Sequence, residues 1–347
     1  MKQKKLYNPD ANIKAERKLI NGETTNILDL VNVKYPQFLE YVDIAYANNW
    51  HFRKPDLSND RKQYENVLTD EEREAFDNVI SFLIFLDSLQ TNNLPNIAEF
   101  ITLPEIVYWL GRQTWDEALH SRSYAHVLSN AVPPDSIERI TYKYRENKIL
   151  AERNKAIAEI YEENIEHPSE LNFVKTIVAN YLLEGLYFYN GFQFFHNLAS
   201  RGLMVGTDTE IKYIQRDEMV HCTAFADIIN ISQKENPEIW TDKTKEIVYN
   251  MFRKAAELEI KFSNDAIGDK ILGITSKAIE DYTYYLGNKR LKDIGLEQIF
   301  PHVKKNPYLH LEKIAAIDDE TSSRVNNFEA TSITYKDPSI FDGWEDV

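Results

Sequence analysis

Glu117, His120 and Tyr124 stand three and four residues apart, so on an α-helix they share one face. The stripe continues apolar on both sides, through Ile106 and Leu110 before them and Val127 after. An inward stripe holding a carboxylate, an imidazole and a phenol must supply partners for them, because unpaired charge is expensive to bury. A second Glu-x-x-His, Glu218 with His221, lies among Ile211, Ile214, Phe225 and Ile228. Two further stripes each carry one lone acid. Asp87 sits among Ile80, Leu83, Gln90 and Leu94, and Glu184 among Val174, Ile177, Tyr181, Phe188, Phe192 and Phe195.

One acid-x-x-His carries little weight: 55 acidic residues and eight histidines give about one by chance. The weight comes from all six groups falling on apolar stripes that hold no Lys or Arg to pair them. A lone acid on one helix is twice followed by Glu-x-x-His on the next, which predicts two similar helical hairpins. One acid from each of two helices plus Glu-x-x-His from each of two others is the ligand pattern of ferritin-like dimetal-carboxylate proteins. Two divalent cations cancel the charge of four carboxylates beside two neutral imidazoles. Oxygen ligands with a few imidazoles suit iron or manganese. Tyr124, one turn beyond His120, is then placed to serve as a one-electron donor, sheltered by Phe188, Phe192 and Ile214.

These residues require long helices. Thr69 to Glu72 fits a capping box opening the Asp87 helix, and Thr102 to Glu105 a second one with Pro104 at the first helical position. A first helix is expected over 36–50, a loop over 55–60, and one long charged helix over 135–164. The Glu184 and Glu218 stripes follow, then helices near 243–266 and 276–294. With 11 glycines and 12 prolines in 347 residues, the chain is expected to be all-α. Residues 1–33 read as an irregular N-terminal segment, 34–317 as a ferritin-like helical domain, and 318–347 as a flexible acidic tail.

A formal net charge of −15 argues against a nucleic-acid surface, which needs clustered Lys and Arg. The one cysteine, Cys222, excludes an intramolecular disulfide and reads as packing. The longest apolar run, Val79 to Leu86, is far shorter than the ~20 residues that span a bilayer. A cytoplasmic protein that does not enter a membrane is expected.

The stretches TTNILDLVNVKYP, NNWHFRKPDLSND, FLDSLQ, WDEALHSRSY, LLEGLYFY, IQRDEMVH and YLGNKRLKDIG together resemble the small, radical-generating subunit of class I ribonucleotide reductase over nearly the whole chain. The resemblance implies that Asp87, Glu117 and His120 hold one metal and Glu184, Glu218 and His221 the other, with Glu117 and Glu218 bridging. It implies a radical on Tyr124, electron entry at Trp50 through Asp217 to His120, and onward relay by Tyr335. The closing IFDGWEDV matches, by position and character, a docking peptide for the large subunit, where ribonucleotides are reduced. It further implies a homodimer and two metal ions per chain, di-iron in preference to dimanganese or a mixed pair. A flavoprotein activase belongs to some members. A stand-alone ferritin-like dimetal oxidase is the rival reading; it would have no use for the Tyr335 tail.

Overall fold

The computed structural model describes Met1 and residues 3–312. Tyr335, the rest of the acidic tail and the closing peptide lie outside the described residues. Among those described, regular structure is helical apart from one isolated bridge between Ile20 and Ile101. The helices are α1 (Gln37–Ala47), α2 (Asp60–Asn66), α3 (Asp70–Ala98), α4 (Pro104–Ala131), α5 (Ile137–Thr141), α6 (Lys148–Glu166), α7 (Glu170–Leu182), α8 (Tyr189–Ser200), α9 (Val205–Glu235), α10 (Asp242–Ala266) and α11 (Ser276–Asp293). A π turn, Leu183–Tyr187, joins α7 to α8.

Helix α3 starts on the expected capping box. The Thr69 hydroxyl accepts from the Glu72 amide at 3.1 Å, and the Glu72 carboxylate accepts from the Thr69 amide at 3.0 Å. Helix α4 starts with Pro104 at its first position, but the expected box at its head does not form. The Thr102 hydroxyl instead donates to the Lys18 carbonyl. Glu105 accepts from the Lys34 and Tyr35 amides at 2.9 and 3.0 Å. The N-terminal segment crossing this helix end takes both side chains, a contact no local pattern reveals.

The long charged helix expected over 135–164 is broken into a 3-10 turn, α5, a second 3-10 turn and α6. Asn147 restarts the chain there, its side chain accepting from the Ile149 and Leu150 amides at 2.9 and 3.0 Å. The first helix ends at Ala47, which leaves Trp50 in the following loop. Helix α2, absent from the sequence reading, caps a distant helix: Asp60 accepts from the Gly206 and Thr207 amides at the head of α9 at 3.3 and 2.6 Å. A side chain at Gly206 would collide with the Asp56 carbonyl, so glycine permits this approach.

α3 packs on α4, α8 on α9, and the two groups meet through α4 with α9 and α3 with α7. The six predicted side chains lie inside, all buried. A large apolar side chain contributes roughly 2 kcal/mol on burial, whereas an unpaired buried ion costs several. Many apolar neighbours, and then cations, are needed to hold four carboxylates there.

Candidate metal centre

The predicted ligands come from four helical segments: Asp87 from α3, Glu117 and His120 from α4, Glu184 from the π turn, and Glu218 and His221 from α9. They converge as two overlapping sets. Asp87, Glu117, His120 and Glu218 offer ligand atoms all within 4.8 Å of one another, and so do Glu117, Glu184, Glu218 and His221. Glu117 and Glu218 are common to both.

Both imidazoles turn Nδ1 inward. His120 Nδ1 lies 3.0 Å from Glu218 Oε1 and 3.7 Å from oxygens of Asp87 and Glu117. His221 Nδ1 lies 2.9 Å from Glu218 Oε2, 3.2 Å from Glu117 Oε1 and 3.6 Å from Glu184 Oε2. Despite this crowding, both Asp87 oxygens, Glu117 Oε2, Glu184 Oε2, Glu218 Oε1 and His120 Nδ1 make no hydrogen bond. Orphaned oxygens aimed at a common point beside inward nitrogens fit a pair of divalent cations, which take such atoms as ligands.

The outward nitrogens each face an aspartate. His120 Nε2 lies 3.3 Å from Asp217 Oδ2, and the same oxygen accepts from the Trp50 indole at 2.7 Å. His221 Nε2 lies 3.5 Å from Asp116 Oδ2, and Arg112 grips Asp116 through two bonds of 3.1 and 2.7 Å. The arrangement is crossed: the aspartate before each shared glutamate faces the histidine of the other helix. Such partners fix the tautomer and direction of a ligating imidazole. Glu184 Oε1 accepts from Gln113 at 2.9 Å, Asn180 at 3.1 Å and Gln90, leaving Oε2 to face inward.

Asp217 is among the residues expected from the sequence, whereas Asp116 emerges only from the structure. Its signal was the repeated Asp-Glu-x-x-His, residues 116–120 and 217–221. Gln90 and Gln113 stood on the inward stripes without an assigned task. Asp116→Asn is expected to weaken metal binding about 10- to 100-fold, read by anaerobic Mn(II) titration. Unchanged affinity would remove Asp116 from the supporting set.

Tyr124 is fully buried and its hydroxyl makes no hydrogen bond. Burial, and then the charges of Asp87 and Glu218, hold the phenol well above its ordinary range. The phenol therefore stays protonated. Phe188, Phe192 and Ile214 are also fully buried, the two rings stacked with centroids 5.5 Å apart. Cys222 packs beside Gly185 and Arg290, and burial pushes its thiol up to about 11, in keeping with a packing role.

Burial, then the charge of Glu117, pushes the Asp87 and Glu184 carboxyls well above the carboxylate range. Burial opposes Glu218 too, but His221 and His120 outweigh it and keep that carboxyl low. The His120 imidazole is held above its ordinary range, against burial, by the carboxylates of Asp217, Glu117 and Glu218 around it. Protons thus neutralise the cluster where cations would otherwise do so, and loading must displace them. Metal affinity is expected to weaken by about tenfold per pH unit for each proton displaced as pH falls. Mn(II) titrations between pH 8 and pH 6 measure it, and pH-independent affinity would refute it.

Fold and cluster together define a ferritin-like dimetal-carboxylate protein. The particular family follows from comparison: residues 27–307 match the family model described as ribonucleotide reductase, small chain. The chain belongs to that family. It is 37% identical over 336 residues to a ribonucleoside-diphosphate reductase subunit beta of Treponema pallidum, covering 96% of this chain and 95% of the relative. A subunit beta of Halalkalibacterium halodurans is 35% identical, covering 100% and 99%. The solved structure of a ribonucleotide reductase R2 subunit from Clostridium botulinum matches with a TM-score of 0.88 at 40% identity, covering 91% of this chain and 99% of that one. The chain is therefore a radical-generating small subunit, which works with a large subunit. Among the described residues no helix is long and apolar enough to cross a membrane.

Proposed function

We propose that Asp87, Glu117 and His120 hold one metal ion and Glu184, Glu218 and His221 the other, bridged by Glu117 and Glu218, to make a radical on Tyr124. The observation that carries this reading is the pair of ligand sets sharing two glutamates, with Tyr124 one helical turn from His120. When bound, the metals, di-iron in preference to dimanganese or a mixed pair, supply an oxidant derived from O2 or a reduced oxygen species.

Tyr124 would give one electron to that oxidant and release its phenolic proton toward the Asp87 carboxylate, leaving a neutral radical. Asp87 is the charged group acting most strongly on that proton. Phe188, Phe192 and Ile214 exclude water that would quench the radical. Trp50, held by Asp217 against His120, carries the oxidising equivalent toward the surface, and Tyr335 passes it to the large subunit. The test is electron paramagnetic resonance with metal analysis on metal-free protein given Fe(II) and air. About two irons per chain with a tyrosyl signal support the reading; two bound irons without any radical, and again with manganese and an activase, would refute it.

The chain works as a homodimer, by family resemblance, and docks on its partner through the closing IFDGWEDV. A synthetic peptide of residues 328–347 should compete with the whole protein and suppress holoenzyme turnover. Undiminished turnover at saturating peptide would exclude the docking role.

A further inference from the structure

Glu184 does not sit on an ordinary α-helix. It lies in the π turn Leu183–Tyr187, where one inserted residue disrupts the i to i+4 ladder and turns the flanking halves by roughly 100° against a continuous helix. A buried carbonyl left without a partner costs about 1–3 kcal/mol, so such a turn persists only if its groups are satisfied.

Two buried arginines satisfy them. From α6, Arg153 Nη2 donates to the Tyr187 carbonyl at 3.0 Å and lies 2.5 Å from Glu259 of α10. Its guanidinium also lies 3.4 Å from the centroid of the Phe82 ring. From α11, Arg290 Nε donates to the Gly185 carbonyl at 3.0 Å, and Nη2 donates to the Tyr189 hydroxyl at 3.2 Å. The Arg290 carbonyl in turn accepts from the Tyr181 hydroxyl at 3.0 Å. Arg290 therefore binds the chain before, within and after the turn.

Gly185 makes this approach possible: a Cβ there would stand 2.8 Å from Arg290 Nε and 2.9 Å from Cys222 Sγ. Arg290 and Cys222 also line an open cleft of about 670 Å³.

We propose that Arg153 and Arg290 are positioning residues for Glu184, fastening the π turn at the Tyr187 and Gly185 carbonyls so that its carboxylate completes the second metal position. This rests on the proposed ligand role of Glu184. Neither arginine belongs to either candidate ligand set, so their loss is expected to act on the Glu184 position and leave Asp87, Glu117 and His120 as they are. Arg290→Lys keeps the charge, but a single ammonium cannot reproduce the paired bonds to Gly185 and Tyr189.

The test is anaerobic Mn(II) titration of the full-length chain, following both binding steps, with far-ultraviolet circular dichroism as the check on folding. Arg290→Lys, Gly185→Ala and the double variant Arg153→Met/Glu259→Met, which leaves no lone buried charge, are compared with Glu184→Ala. The expected result is second-step affinity weakened tenfold or more with the first step unchanged, in each variant that folds. Arg290→Lys is the mildest change and decides the matter if the others do not fold. Wild-type binding in Arg290→Lys, or equal weakening of both steps, overturns the proposal. Two metals bound at wild-type affinity in Glu184→Ala would instead overturn the ligand role beneath it.

Discussion

Tyr124→Phe is expected to bind two metals per chain, form no tyrosyl radical at this position and lose turnover by about a thousandfold or more, equivalent to roughly 4 kcal/mol of barrier. The substitution removes one oxygen. The Tyr124 hydroxyl makes no hydrogen bond of ordinary geometry and meets Asp87 chiefly through its charge, so dropping this buried polar group is neutral or mildly stabilising. The ligand sets should assemble as before, and the melting temperature should hold or rise. That combination separates a chemical role from a structural one. Paramagnetic resonance, metal content and turnover with the large subunit are measured on the same preparation. Persistent turnover, or an unchanged tyrosyl signal, would place the radical elsewhere.

Trp50→Phe should show the converse pattern. The Tyr124 radical should survive once formed, while turnover falls by about a hundredfold or more, roughly 3 kcal/mol. The indole joins two functions. Its N–H donates to the Asp217 oxygen that also faces His120, and its ring stacks on His120 at 6.2 Å and on Tyr213 at 5.2 Å. Phenylalanine preserves ring contact but has no N–H and is far harder to oxidise. Asp217 then loses one donor and keeps His120, so metal content should remain near two per chain. Wild-type turnover would refute the transfer role, and loss of metal would show that Trp50 chiefly braces the ligand.

Much of the centre was legible because helical periodicity is local. The face that carries Glu117, His120 and Tyr124 is set by 3.6 residues per turn, whatever the helix packs against. The same holds for Glu218 with His221, and the apolar residues around Asp87 and Glu184 marked those acids as inward. Long helices were equally readable where a single local device sets their ends, as at Thr69 and Glu72. Reading failed where a distant segment competes. Glu105 belongs to the Lys34 and Tyr35 amides rather than to its own helix, and Asn147, whose side-chain amide donates to Asn78 and Asp265, divides a charged stretch that looked continuous.

By itself the sequence determined the six inward ionisable groups, the phenol beside them and the family to which they belong. Only the tertiary structure decided that Asp217 faces His120 while Asp116 faces His221, that Glu117 and Glu218 are common to both clusters, and that Glu184 rides on a π turn held by Arg153 and Arg290. Each of these depends on which turns of separate helices meet in the core. Spacing along one helix sets a face, but the partner of that face is chosen by packing between segments far apart in the chain.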